Sequence, residues 1–220
     1  MIGLNARLVL FNIPWVGVQQ LPSGVFIAPL MFFIQDIVTE VYGYGKARQL
    51  TWIMALLILL SALYTRMVIY LPTTDTNTIN QSFRDALDSQ LKHVLSMLVG
   101  FFSGSILNDY CMAKLKIACQ GRWLAMRCIL STMIGAAVFQ IVASLIGWVG
   151  VFGFTKEWLY YVTFSFSYKI IFEIALLPFV YAISNFLKRK EHVDYYDYQT
   201  NFNPFIFFDK NEAENEKAVR

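Results

Sequence analysis

Long apolar runs broken by short polar clusters extend along most of the chain, and their lengths predict six membrane-spanning helices. The runs are residues 1–20, Pro22 to Tyr44, Leu50 to Leu71, Val94 to Leu115, Trp123 to Trp148 and Trp158 to Leu187. The third, with TWIMALLILLSALY inside it, is the least ambiguous. The sixth is long enough to tilt or to extend beyond the bilayer. The longest connection runs from Pro72 to Lys92. Its LPTTDTNT opening is turn chemistry, and SFRDALDSQLKHV reads as a short surface helix entering the fourth span. After Glu191 the chain is polar and charged apart from NPFIFF, which predicts a largely irregular tail. The fold expected is an all-α, polytopic helix bundle, with a transport domain over residues 1–190 and a cytoplasmic tail over 191–220. The first run is the weakest. No small-residue cleavage site follows Arg7, so it is not read as a signal peptide, and Leu8 to Val18 alone is short for a span.

Composition narrows the class. Hydrophobic residues make up 57% of the 220-residue chain and charged residues 15%, against roughly 25% in a soluble domain. That excludes disorder, which is poor in apolar residues, and argues against a soluble globule. The basic residues then orient the spans. Lys46, Arg48, Lys114, Lys116, Arg122, Arg127, Lys188, Arg189 and Lys190 fall on one side, and only Arg84, Lys92 and Lys156 on the other. The asymmetry predicts a multi-pass membrane protein with both termini in the cytoplasm. Trp15, Trp52, Trp123, Trp148 and Trp158 all lie near predicted span ends, where amphipathic rings favour the headgroup region.

Ionisable groups inside the apolar runs carry the chemistry, because each costs at least about 2.5 kcal/mol in hydrocarbon unless paired or hydrated. Asp36 and Glu40 lie four residues apart in the second span, with Gln35, Thr39 and Tyr42 nearby. The fourth span carries Asn108 and Asp109. The fifth carries Ser131, Thr132, Gln140 and Ser144, and the sixth Lys169 and Glu173. Two readings compete: Lys169 pairs with Asp36 or Glu40 as structural glue, or the whole set lines a polar cavity. Pro29 and Pro178 can kink their helices, a feature that often frames transporter sites. Gly100 and Gly104 form GxxxG, and Gly135 to Ala137 add small residues; these suit close helix packing. Cys111, Cys119 and Cys128 read as packing residues. No HExxH or CxxC spacing is present, so neither a metal nor a cofactor is expected. No nucleophile–base constellation appears at membrane depth, which argues against an enzyme. No GxxxxGK[ST] occurs, so a coupling ATPase would have to be a separate partner.

The same residues resemble a known family, the queuosine precursor transporters, also described as vitamin uptake transporters. The hallmark stands here as Pro29, Leu30, Phe33, Asp36, Thr39, Glu40, Tyr42, Gly43, Tyr44, Ala47 and Arg48. Asn108 precedes AKLK; Arg127, Ser131, Thr132 and Gly135 follow, then Lys169, Glu173 and Pro178, and finally DYYDYQTNFNPF over residues 194–205. The resemblance implies the inner (plasma) membrane, six helices, distant similarity to the substrate-binding subunits of energy-coupling-factor vitamin transporters, and import of 7-deazaguanine precursors of a tRNA base. The partners implied are that small molecule and the lipid bilayer, with no nucleic acid. The substrate site implied comprises Asp36, Glu40, Asn108, Lys169 and Glu173, with Gln140 beside them. A carboxylate such as Asp36 or Glu173 suits the N–H donors of a guanine-like edge, Asn108 offers a donor and an acceptor, and Phe32 or Phe33 can stack. The chain departs from the pattern at Gln35, where a Thr is expected. It departs again at Phe139 and Gln140, where many members carry Asp and then Ser or Thr. Gln140 in place of that carboxylate leaves another nucleobase-like heterocycle or vitamin open as the substrate. The N-terminus begins where the family's first helix is already under way, which implies a start inside that helix.

Overall fold

The computed structural model describes residues 8–13, 17–22, 27–71, 81–82, 84, 90–147 and 156–207, with backbone alone in the first two segments. Four helices carry the molecule: α1, Ala28–Tyr70; α2, Gln90–Ala118; α3, Leu124–Gly147; and α4, Lys156–Glu191. All four are long and apolar enough to cross a membrane. Their exposure pattern is inverted relative to a soluble protein. Leu57, Leu63, Ile171 and Ile174 face outward, while Gln35, Asp36, Asn108, Asp109, Arg127 and Lys169 are buried. Hydrocarbon rewards this arrangement, since lipid solvates the leucines and only the bundle interior offers polar groups partners.

Six spans were expected, and the membrane-crossing body is helical, but its helices number four among the described residues. One source of the difference is the N-terminus. Leu8–Ile13 (β1) and Gly17–Pro22 (β2) form an antiparallel hairpin, with Leu8 opposite Pro22 and Ile13 opposite Gly17. Pro14 cannot donate within a helix, and Val9, Phe11, Ile13 and Val18 favour extended backbone. Two strands with open edges do not make a spanning element. In place of the helix expected over residues 1–20, the described residues 8–13 and 17–22 form a hairpin that precedes an all-α bundle.

The second source is one of counting: the second and third predicted spans are the two arms of α1, which meet at Gly43. Gly43 interrupts that helix with φ 81° and ψ 178°, a conformation essentially reserved for glycine. The two arms fold back on each other there. Gln35 Nε2 donates to Thr51 Oγ1 at 2.9 Å, although the residues lie 16 positions apart. A straight helix would separate them by about 24 Å. The surface helix predicted before the fourth span falls largely outside the described residues. Gln81, Ser82 and Arg84 are helical, and α2 begins at Gln90.

The small residues do the packing expected of them. A Cβ on Gly104 would lie 2.6 Å from the Gly135 carbonyl oxygen, and one on Gly135 would lie 2.8 Å from the Asn108 Cβ. Gly100 meets Ala143 in the same way. The backbones of α2 and α3 therefore touch directly, and this contact fixes the depth at which Asn108 sits. Gly104→Val is expected to cost about 1–3 kcal/mol by forcing the two helices apart. Equilibrium unfolding in mixed micelles measures it, and unchanged stability would contradict so close an approach. Ile37, Val41, Met112, Leu124, Cys128 and Val180, drawn from all four helices, form the apolar cluster beside this contact.

Residues 192–207 have neither helix nor strand, as the tail's composition predicts, yet they are firmly docked. The chain wraps around the bend at Gly43. Asp197 accepts the Tyr44 amide at 3.1 Å, Arg48 donates to the carbonyls of Asn201 and Asn203, and Trp52 donates to that of Pro204. A side chain at Gly43 would strike the Tyr195 ring. Burial pushes the Asp194 carboxyl up, but Lys116 and Lys188 more than offset this and hold it below the usual carboxylate range. Its contribution to docking is thus complete at neutral pH, and it fades only in acid, as pH falls through the lowered value. At Asp197 burial prevails over the bonds from Thr200 and the Tyr44 amide, so its carboxyl is raised. Residues 208–220 lie outside the described residues.

Candidate functional site

The predicted site residues fall into three adjoining groups. The first centres on Asp36, on the inward face of the first arm of α1. Asn108 Nδ2, from α2, donates to its Oδ1 at 2.7 Å, and Thr132 Oγ1, from α3, approaches Oδ2 at 3.5 Å. Glu173, from α4, completes the group. Asp36, Cys128 and Glu173 each offer an atom within 4.8 Å of the others'. Asp36 and Asn108 are fully buried, and Glu173 is 1% exposed. Four helices thus converge on one carboxylate.

This centre is not self-satisfied. No N–H or O–H donor reaches either oxygen of Glu173, and the Asn108 Oδ1 and Gln35 Oε1 oxygens also lack partners among the described residues. Buried acceptors without donors cost about 1–3 kcal/mol each, so a fold retains them for a reason. Alongside stands a chain that is satisfied. Asp109 accepts from Thr39 at 3.1 Å and from Thr51 at 3.2 Å, and Thr51 accepts from Gln35. It ties the two arms of α1 to α2 and so holds Asp36 in place.

Glu40 forms the second group, one turn along α1 toward the bend. Arg127 grips it with Nη1 at 2.5 Å and Nη2 at 3.1 Å, and Lys188 reaches its other face at 2.6 Å. Lys116 donates to the Glu40 carbonyl and to Asp194, and Lys188 also pairs with Asp194. Both Glu40 oxygens are occupied by cations. The group is an ion lattice joining α1, α2, α3, α4 and the tail. Glu40, which the sequence offered either as a site residue or as a structural partner at a helix end, lies in this lattice, one helical turn from Asp36.

Lys169 and Gln140 form the third group. Lys169 Nζ donates to Gln140 Oε1 at 3.0 Å and lies 3.8 Å from the centre of the Phe139 ring. Among the described residues Lys169 makes no ion pair, so the pairing with Asp36 or Glu40 considered from sequence is not formed. Phe139 and Gln140 are two of the three positions, with Gln35, at which the sequence departs from the pattern it resembles. Here they replace a carboxylate's charge with a ring face and an amide oxygen, both of which attract an ammonium. Phe32, 2% exposed, meets the Phe139 ring edge-on at 6.3 Å, while Phe33 packs on the apolar cluster. Phe32 is therefore the better-placed aromatic of the two.

The sequence reading named Thr39, Thr132 and Cys128 without their partners and passed over Thr51. Thr39 and Thr132 belong to the quoted motifs, so their partnership with acids was available as a signal. Cys128 offered none, since a thiol in an apolar run reads as packing. Thr51 had only its polarity in an apolar run. The groove of about 330 Å³ between α1 and α2, lined by Trp52, Leu56, Leu59, Val99, Phe102 and Ser103, is mostly apolar, and its Ser103 hydroxyl and Trp52 N–H already donate to the Val99 and Pro204 carbonyls.

A family model described as a putative vitamin uptake transporter matches residues 22–183, which include every residue of all three groups except Lys188, Asp194 and the tail. The chain belongs to that family. It is a membrane importer in general type, with helices suited to the bilayer and a small molecule as its cargo. Among curated proteins and among solved structures, none matches it.

Proposed function

We propose that this transporter imports 7-deazaguanine precursors of queuosine, such as 7-cyano-7-deazaguanine and 7-aminomethyl-7-deazaguanine, for salvage into tRNA. The observation that carries the reading is the set of donor-poor acceptors around Asp36. The guanine-like face of these molecules presents a ring N–H and an exocyclic amine side by side. Asn108 Oδ1, Gln35 Oε1 and the Glu173 carboxyl are acceptors in want of such donors. Phe32 and Phe139 supply ring surfaces for a planar base, and Lys169 and Gln140 lie at its far edge. Asp36, Asn108, Glu173, Lys169 and Gln140 thus contact the substrate. Glu40 closes the layer toward the bend. The basic bias of that end supports a cytoplasmic side for the bend and the tail, and the family resemblance supports a plasma-membrane location.

The experiment uses a host that cannot synthesise the precursor. With the gene present, externally supplied precursor should appear as queuosine in tRNA. With the gene deleted, it should not. Equal queuosine in both strains rejects the reading. Gln140 and Phe139, standing where many relatives carry a carboxylate, favour a second substrate class, another nucleobase-like heterocycle or a vitamin. Competition of labelled precursor uptake by a panel of purines and vitamins separates the two.

A further inference from the structure

The Asp36–Glu173 pair has a chemical consequence beyond substrate contact. Two carboxyl groups meet here with Cys128, all within 4.8 Å, in a fully enclosed setting. At such a distance and away from water, both cannot be ionised together; the pair keeps one proton. The hydrogen bonds say where it resides. Asp36 receives donors from Asn108 and Thr132, which favour its charged form. Glu173 receives none, so nothing compensates a charge on it.

We propose that Glu173 carries a transported proton, making this chain a proton-coupled symporter; the inference rests on the importer reading above. In the loaded state Glu173 is a neutral acid whose O–H can donate to the Asp36 carboxylate or to a carbonyl oxygen on the cargo. A guanine-like ring carries such a carbonyl beside its N–H donors. The protonated pair therefore matches the ring with one donor and one anion, whereas two anions would repel the carbonyl. Cargo and proton bind together for this reason. When the site opens to the cytoplasm the cargo leaves and water enters; hydration then allows both carboxyls to ionise, and the Glu173 proton passes to that water.

The surrounding charges allow this cycle. On α1, Glu40 is neutralised by Arg127 of α3 and Lys188 of α4. On α2, Asp109 accepts from two threonines. On α3, Cys128 adds no cation. On α4, Lys169 lies one turn from Glu173 but is held by Gln140 and the Phe139 ring. Among the described residues no cation is committed to the pair, which leaves a proton as its charge carrier.

The test uses the full wild-type chain alone in liposomes, without ATP, with a pH-sensitive dye inside. Adding 7-cyano-7-deazaguanine outside should acidify the lumen in step with uptake, and an acidic exterior should raise uptake severalfold. Uptake without acidification, indifferent to the gradient, overturns the coupling and leaves the importer reading standing. Absence of uptake at every pH overturns the importer reading instead, and the proton is then judged by infrared spectroscopy without cargo. The carbonyl stretch of a protonated acid should be present near neutral pH, be lost in Glu173→Gln and persist in Asp109→Asn. Its absence from the wild type overturns the proposal. So does tight zinc binding that disappears in both Glu173→Gln and Cys128→Ala, which would assign the cluster to a metal.

Discussion

Glu40→Ala is expected to destabilise the protein by about 3–5 kcal/mol, the range for removing one partner of a buried ion pair. The magnitude follows from what remains. Arg127 has no exposed surface, and without Glu40 its guanidinium retains only the carbonyls of Gly121 and Arg122. Lys188 is less affected, because Asp194 still lies 2.9 Å away. The loss is therefore chiefly an orphaned charge on Arg127, and a second substitution, Arg127→Leu, should recover most of it. Unfolding midpoints of the two single variants and the double variant in mixed micelles provide the cycle. A cost below about 1 kcal/mol for Glu40→Ala would mean that the lattice joining the helices to the tail is not structural.

Asp36→Asn is expected to lower uptake about 10–100-fold at unchanged abundance, the equivalent of about 1.5–3 kcal/mol for a hydrogen bond to a charged group. The change is nearly isosteric but removes the charge and one acceptor. Asn108 Nδ2 and Thr132 Oγ1 now donate to the two carboxylate oxygens, and one of them would face an amide N–H₂. The effect should appear in uptake far more than in stability, which distinguishes it from Glu40→Ala. Full uptake by Asp36→Asn would remove Asp36 from the site.

How far each feature was legible depended on whether its cause was local. The four helices announce themselves because lipid demands continuous apolar runs, and the polar residues within them had to turn inward. The packing of Gly100, Gly104 and Gly135 was readable for the same reason: small residues in an apolar helix have few other uses. The N-terminal hairpin was not readable by length and hydrophobicity, since a short apolar run fits a strand or a partial span equally. The reversal between the second and third predicted spans was readable from the polar break after Tyr44, but that it pivots on Gly43 was not, since a glycine does not reveal its φ.

The chemical centre was half legible. Asp36, Asn108 and Glu173 stood out as misplaced polar groups, and they do meet. Which acid takes which partner was hidden, because it depends on contacts between helices. Glu40 lies one turn from Asp36 and looks equivalent in sequence, but Arg127 of α3 and Lys188 of α4 claim it. Lys169 looked like its natural partner and is instead held by Gln140 and Phe139. The tail shows the same limit: its irregular backbone was foreseeable, whereas its docking through Asp197, Arg48 and Trp52 depends on the bend it wraps.

The central claim is that the donor-poor centre around Asp36 takes a 7-deazaguanine base. Uptake of radiolabelled 7-cyano-7-deazaguanine by the purified chain in liposomes tests it most directly. The account predicts saturable accumulation above empty liposomes, competed by 7-aminomethyl-7-deazaguanine and insensitive to excess biotin. Accumulation no greater than in empty liposomes, in a preparation that does take up another heterocycle, would contradict it.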